Sequence, residues 1–223
     1  MIKIGIELNG IIRDLNKQIV KYYKKDIDKE FDTSKINMNK VDVRYDLPFN
    51  SKKKLENYMY VDYSYEIYGC ARVMERNIAT LINTWLDDLN NSKKYDVDVR
   101  FFSALESALT IQSTYFFISK IGTRVRRMVF PKDCKDMWDE CDVIITTNKR
   151  IVKNKPDGKV VILIKKDDNL ELSEKSDFIY DNLSSILTDE ELIEKITSKL
   201  KNKTSIIKKL KEWLKKFYKK NKK

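Results

Sequence analysis

A chain of 223 residues with 42% hydrophobic and 11% aromatic residues suits one ordinary domain carrying an insertion, and it excludes global disorder. The formal net charge is +11, yet residues 205–223 hold nine lysines against one glutamate, which leaves only +3 for everything before them. Histidine is absent and the three cysteines (Cys70, Cys134, Cys141) have no metal-ligand spacing, which excludes the usual zinc sites and predicts a reduced setting. No charged-then-apolar leader opens the sequence, and no apolar run reaches the ~18 residues of a membrane span, so a cytoplasmic protein is expected. The wealth of Lys, Asn and Ile matches an AT-rich coding source such as a low-GC bacterium or its phage, in which case the setting is host cytoplasm or virion.

In chain order, Ile2 to Leu8 is mostly apolar, as a strand covered on both faces should be. Leu15 to about Tyr95 has a mainly helical pattern, interrupted near Lys35–Asn39, at Pro48 and by the tyrosine-rich run Tyr58 to Tyr68. Those tyrosines fit packing or an interface better than a nucleobase platform. Val73 to Leu89 is an amphipathic helix with Ile78, Leu81, Ile82, Trp85 and Leu89 on one stripe. Strands and helices then alternate: strand Val97–Phe102, helix Glu106–Ile121 closed by Gly122, strand Arg124–Phe130, short helix Asp136–Glu140, strand Asp142–Ile145. A Pro156-Asp157-Gly158 turn precedes strand Lys159–Ile164, and Phe178–Tyr180 is a short last strand. This alternation predicts an α/β fold with a parallel, doubly wound sheet.

Ligands of open α/β sheets bind at the carboxyl ends of strands. The first strand ends in Glu7-Leu8-Asn9-Gly10, the second in Ser103, and the Cys141-Asp142-Val143-Ile144-Ile145 run in Thr146-Thr147-Asn148, with Lys135 (or Lys132) just before that run. In order and spacing this resembles the haloacid dehalogenase (HAD) superfamily over roughly residues 2–180. Within it, the helical cap after the first motif and Arg13-Asp14 are similar to the pyrimidine 5'-deoxynucleotidase branch. The resemblance implies a HAD-like Rossmannoid core (residues 1–15 and 96–198) with a helical cap inserted at 16–95, followed by a basic amphipathic helix at 199–223. It also implies phosphate-binding roles for Ser103 and Lys135, and a nucleophile and general acid/base at positions 7 and 9. Taken alone, Asn9-Gly10 is also a hairpin-turn signal, Ser103 an ordinary strand-end serine and Lys135 a surface lysine; their order with the Cys141–Asn148 run favours the motif.

The family's working groups are altered. Its pattern is Asp-x-Asp-Gly, whereas Glu7 and Asn9 stand here. Glu7 keeps a carboxylate but shifts it by roughly 1 Å, a misplacement on the scale that costs about 10²-fold. Asn9 cannot carry a proton, and losing general acid/base help costs about 10²–10⁴-fold. Thr146 and Thr147 replace the acids that help hold Mg²⁺. The expectation is therefore a vestigial site (Glu7, Asn9, Ser103, Lys135), no metal at Glu7, Thr146 and Thr147, and no cofactor. Two alternatives remain: an Mg²⁺-dependent nucleotide phosphatase rebuilt around Glu7, Asp14 and Lys135, and a non-specific nucleic-acid binder.

The C-terminal segment repeats Ile206, Ile207, Leu210, Trp213, Leu214, Phe217 and Tyr218 at helical spacing, with Lys208, Lys209, Lys211, Lys215, Lys216, Lys219 and Lys220 on the other faces. Docking on its own domain, attraction to nucleic-acid phosphates and partner binding through Trp213, Phe217, Lys215 and Lys216 all fit this pattern. Other protein subunits of an assembly, such as a phage virion, are the expected partners.

Overall fold

The computed structural model describes residues 1–92, 94–104 and 106–201. Six strands form one parallel sheet: β1 (Ile2–Glu7), β2 (Val97–Phe102), β3 (Arg127–Val129), β4 (Val143–Thr146), β5 (Val160–Ile164) and β6 (Phe178–Tyr180), in spatial order β3-β2-β1-β4-β5-β6. The order reverses between β1 and β4, whose registers pair Glu7 with Phe102 on one side and Ile6 with Ile145 on the other. A crevice therefore opens beyond the carboxyl ends of β1 and β4, where such sheets bind ligands.

Successive residues of each strand point to opposite faces. Ile4, Ile6, Val99, Phe101, Val143, Ile145, Val160 and Ile162 join α3 (Ile78–Ser92), Phe117 of α4 (Ala108–Ile121), α7 (Leu183–Leu187) and helical residues 192–201 in one core. Phe102, Cys141, Ile144, Val161 and Leu163 form the other core with Met137 and Trp138 of α5 (Met137–Glu140) and Ile151 and Val152 of α6 (Lys149–Lys153). Gly5 faces this second layer, and a Cβ there would lie 2.7 Å from Cys141 Sγ, so only glycine admits α5 and its following turn so close to β1.

The insertion has its own core, built from Leu15, Ile19, Val20, Tyr23, Val43, Leu47, Leu55, Tyr58, Met59, Ile67 and Tyr68. The sequence pattern predicted mainly helix here, interrupted near Lys35–Asn39, at Pro48 and by the tyrosine-rich run. The structure has α1 (Leu15–Tyr22) and α2 (Lys52–Asn57) with π-helical turns Tyr23–Ile27, Tyr58–Asp62 and Tyr65–Gly69 and two short 3₁₀ turns. Tyr58 enters an aromatic cluster with Tyr23, Phe49 and Tyr63, and its hydroxyl donates to the Ile19 carbonyl at 2.7 Å. Burying these rings takes precedence over a regular i→i−4 ladder, and π turns, bonded i→i−5, supply the wider turn.

The Trp85 stripe, placed by the sequence reading within the insertion, packs on the sheet instead, because Ile78, Ile82, Trp85 and Leu89 complete the first core. Its helix begins at Ile78, since Val73 is held extended in an antiparallel pair with Arg13. The two crossings into the insertion are thus tied together, with Asp14 N–H donating to Arg72 and Met74 N–H to Ile12. Residues 199–201 extend the helix that begins at 192, and Leu200 lies on the sheet core. The basic stretch with Trp213, Lys215, Lys216 and Phe217 lies outside the described residues. Among the described residues no helix is long and apolar enough to cross a membrane.

Candidate functional site

β1 ends in a tight turn because the Leu8 carbonyl accepts from the amides of Ile12 and Arg13 while Gly10 N–H donates back to Arg13. Gly10 takes a left-handed φ of 75°, which glycine adopts without steric cost. This turn sets Glu7 and Asn9 at the crevice and turns Arg13 inward.

Glu7 is buried at the junction of β1 and β4. Thr146 Oγ1 donates to Glu7 Oε2 at 2.5 Å and the Thr147 amide donates to the same oxygen at 3.2 Å. Burial pushes the Glu7 carboxyl up to about 7, and the bonds from Thr146 and Thr147 only partly offset that desolvation. The hydroxyl of Thr146 also accepts from the Asn148 amide at 2.9 Å, which starts α6. Thr146 and Thr147 are therefore clasps on Glu7.

Asn9 and Ser103 belong to a second network. Arg13 is fully buried and forms a salt bridge with Glu106, whose side chain is 1% exposed. Arg13 Nε and Nη2 donate to Asn9 Oδ1 at 2.9 and 2.6 Å, and Nη1 donates to the Tyr68 carbonyl at 3.2 Å and Thr114 Oγ1 at 2.7 Å. Nη2 also reaches Ser103 Oγ at 3.3 Å. Ser103 accepts from Asn9 Nδ2 at 3.1 Å and donates its own proton to Glu106. Thr110 and Thr114 donate to the other Glu106 oxygen at 3.0 and 2.7 Å. The guanidinium also lies 5.0 Å from the Tyr68 ring and 5.4 Å from that of Phe117. Every donor of the guanidinium fork has an internal partner, and the Ser103 hydroxyl has none of its proton left for a ligand.

The crevice itself is a cavity of about 350 Å³ between the strand ends and the insertion. Glu7, Asn9, Gly10, Thr147 and Asn148 form its floor, and Arg44, Tyr45, Lys149 and Arg150 stand among its walls. Its cations are paired: Arg44 with Asp42, Lys149 with Asp168 and Glu171, Arg150 with Asp133. A larger hollow of about 700 Å³ lies at the opposite end of β2, away from these strand ends, beside Asp98, Arg124 and Arg127.

Of the residues singled out in the sequence, the structure brings Glu7, Thr146 and Thr147 together, and Asn9 with Ser103. Lys135 stays apart. It is exposed on a 3₁₀ turn, Cys134–Asp136, and does not line the cavity. The buried neighbour Cys134 faces inward in its place, accepting from Asn148 Nδ2 at 3.5 Å. Burial raises the Cys134 thiol, and Glu7 adds to the effect. Asp14 caps α1 and pairs with Lys17 at 3.0 Å beside a different hollow, so Glu7, Asp14 and Lys135 are not assembled into one site. Sequence reasoning missed Glu106, whose spacing is that of an ordinary acid before a helix, and missed that Arg13 is its partner. Asn148 ahead of Lys149-Arg150 is a legible N-cap signal that would have found the cations of the wall.

The donor set does not fit a divalent cation. Glu7 Oε2 already accepts from two donors and its raised pKa sets a proton against any metal, while the other carboxylates nearby are paired, Glu106 with Arg13, Asp42 with Arg44 and Asp168 with Lys149. Among the described residues no three Asp, Glu, Cys or His side chains cluster as a metal site.

No protein-family model matches the chain, and no curated protein matches it. Among solved structures it is similar to a crystal structure from Burkholderia xenovorans LB400 provisionally described as a haloacid dehalogenase-like hydrolase. The TM-score is 0.54 at 13% sequence identity, covering 86% of this chain and 98% of that one. At that identity the likeness is one of fold: the α/β sheet with its helices is HAD-like.

Proposed function

We propose that this chain is a catalytically silent protein on a HAD-like fold that serves as a structural or binding component of a larger assembly. The observation that supports it most is the Arg13–Glu106 pair, which holds both Asn9 and Ser103 in an internal network. A phosphoryl-transfer site needs free donors for phosphate, a positioned carboxylate and a counter-charge for the transferred group. Ser103 gives its proton to Glu106, Glu7 is clasped by Thr146 and Thr147, and Asn9 carries no exchangeable acid. A virion or replication complex of a phage is the kind of assembly that the composition suits.

The Mg²⁺-dependent nucleotide phosphatase reading draws less support, since Lys135 and Asp14 stand apart from Glu7. Incubating the protein with Mg²⁺ and a panel of deoxynucleoside monophosphates separates the two. The silent reading expects no phosphate release, and turnover that Glu7→Gln abolishes would overturn it.

A further inference from the structure

α4 is apolar on faces that should be polar. Its inner side buries Phe117, Thr110 and Thr114, while outside Leu109 is 61%, Tyr115 52% and Phe116 41% exposed. Leu109 and Phe116 are seven residues apart and so share one stripe. The patch continues onto the insertion: Tyr65, 49% exposed, has its ring 5.1 Å from that of Phe116, and on the other flank Tyr115 lies 5.7 Å from Phe130. The surface is built firmly. Ser64 Oγ donates to the Leu109 carbonyl at 3.1 Å, and Gly69 lies so close to α4 that a Cβ there would be 3.3 Å from both Phe116 Cδ1 and the Ser113 carbonyl. Exposed apolar side chains clustered in this way, with polar Gln112 between Leu109 and Phe116, mark an interaction site. Beside it, close to Tyr65, stands Glu66, whose carboxylate forms no salt bridge among the described residues.

One segment of this chain has the complementary chemistry. The sequence of residues 206–218 repeats Ile206, Ile207, Leu210, Trp213, Leu214 and Phe217 at helical spacing, interleaved with lysines. Its own copy is poorly placed to use it. Residue 201 ends a helix tied to the β6 side, where Lys199 donates to the Asp177 carbonyl and lies 5.0 Å from the Phe178 ring. α4 connects β2 to β3 at the opposite edge of the sheet, and β3 and β6 stand five strand spacings apart, about 24 Å at about 4.8 Å each. The five steps from residue 201 to residue 206 span at most about 18 Å when extended. We propose that the patch formed by Leu109, Phe116, Tyr115 and Tyr65 binds the C-terminal segment, residues 206–218, of a second copy of this chain, with lysines of that segment against Glu66.

This contact deepens the assembly half of the proposed function and rests on that half alone; its failure would leave catalytic silence untouched, because phosphate release is measured separately. The test is molar mass by light scattering on three full-length proteins: the parent, a patch variant (L109D/F116D) and a tail variant (W213D/F217D). The parent self-associates, each variant alone is monomeric, and a mixture of the two forms a one-to-one complex, since one supplies an intact tail and the other an intact patch. Far-ultraviolet circular dichroism of each variant identifies any that fails to fold, and L109S/F116S or W213S/F217S then replaces it. A monomeric parent, a variant that still self-associates, or a mixture that stays monomeric each overturns the proposal.

Discussion

Arg13 and Glu106, ninety-three positions apart, form an ion pair with essentially no solvent contact beneath the carboxyl ends of β1 and β2. Arg13 stands at the end of the turn that follows β1, and Glu106 precedes α4, so the pair ties the first crossing into the insertion to the second strand–helix unit. Because Thr110, Thr114, Ser103, Asn9 and the Tyr68 carbonyl complete the hydrogen bonding, both charges are satisfied without a ligand.

Removing one partner should be severe and removing both should be mild. Glu106→Ala leaves a buried guanidinium uncompensated and is expected to destabilise by about 3–5 kcal/mol, whereas replacing the pair with apolar side chains of similar volume, R13M/E106L, should recover much of that loss. Urea denaturation of the parent and the two variants measures this. Equal losses in both variants would mean that the pair does not act as a unit.

Glu7 makes stability depend on pH. Its folded pKa of about 7 lies above the ordinary 4.5, so between those values the native state holds a proton that the unfolded chain has released. Stability therefore falls as pH rises from 4.5 through about 7 and then levels, by about 3 kcal/mol for this group. Glu7→Gln keeps a neutral amide there and should remove most of that slope. Urea midpoints at acidic and mildly alkaline pH test this; a variant with the parent's full slope would place the titration elsewhere.

Gly5→Ala should destabilise by about 1–3 kcal/mol, since the new methyl would meet Cys141 Sγ at 2.7 Å inside a filled layer. The double variant G5A/C141A should be milder than the sum of its single variants. Thermal melts of the four proteins in the cycle give the coupling, and strict additivity would contradict the close approach.

Restoring aspartates at the first strand end should not restore turnover. An aspartate at position 9 would accept from Arg13 Nε and Nη2 and lose the amide that donates to Ser103. E7D/N9D is expected to release no phosphate while Arg13 remains, and activity in that variant would show the surroundings to be intact.

The sheet was largely legible in the sequence, the site only in outline. Ile2–Glu7, Val97–Phe102 and Phe178–Tyr180 match the apolar runs, and Gly122 closes α4 in a left-handed conformation as its place after Ile121 implied. These are local patterns, fixed by periodicity and caps. The insertion was not legible because its tyrosines pack by shape, which periodicity does not encode, and the Trp85 stripe carries no sign of which core it completes. Lys135 illustrates the limit of a motif: one step along a 3₁₀ turn exchanges it for Cys134 as the residue facing Glu7. Glu106 was invisible because its partner lies ninety-three positions away and only the fold brings Arg13 to it.

The most direct test of the proposed catalytic silence is phosphate release. With Mg²⁺ and deoxynucleoside monophosphates, the protein is expected to release no phosphate above buffer, and Glu7→Gln is expected to change nothing. Release that disappears in Glu7→Gln would contradict the account.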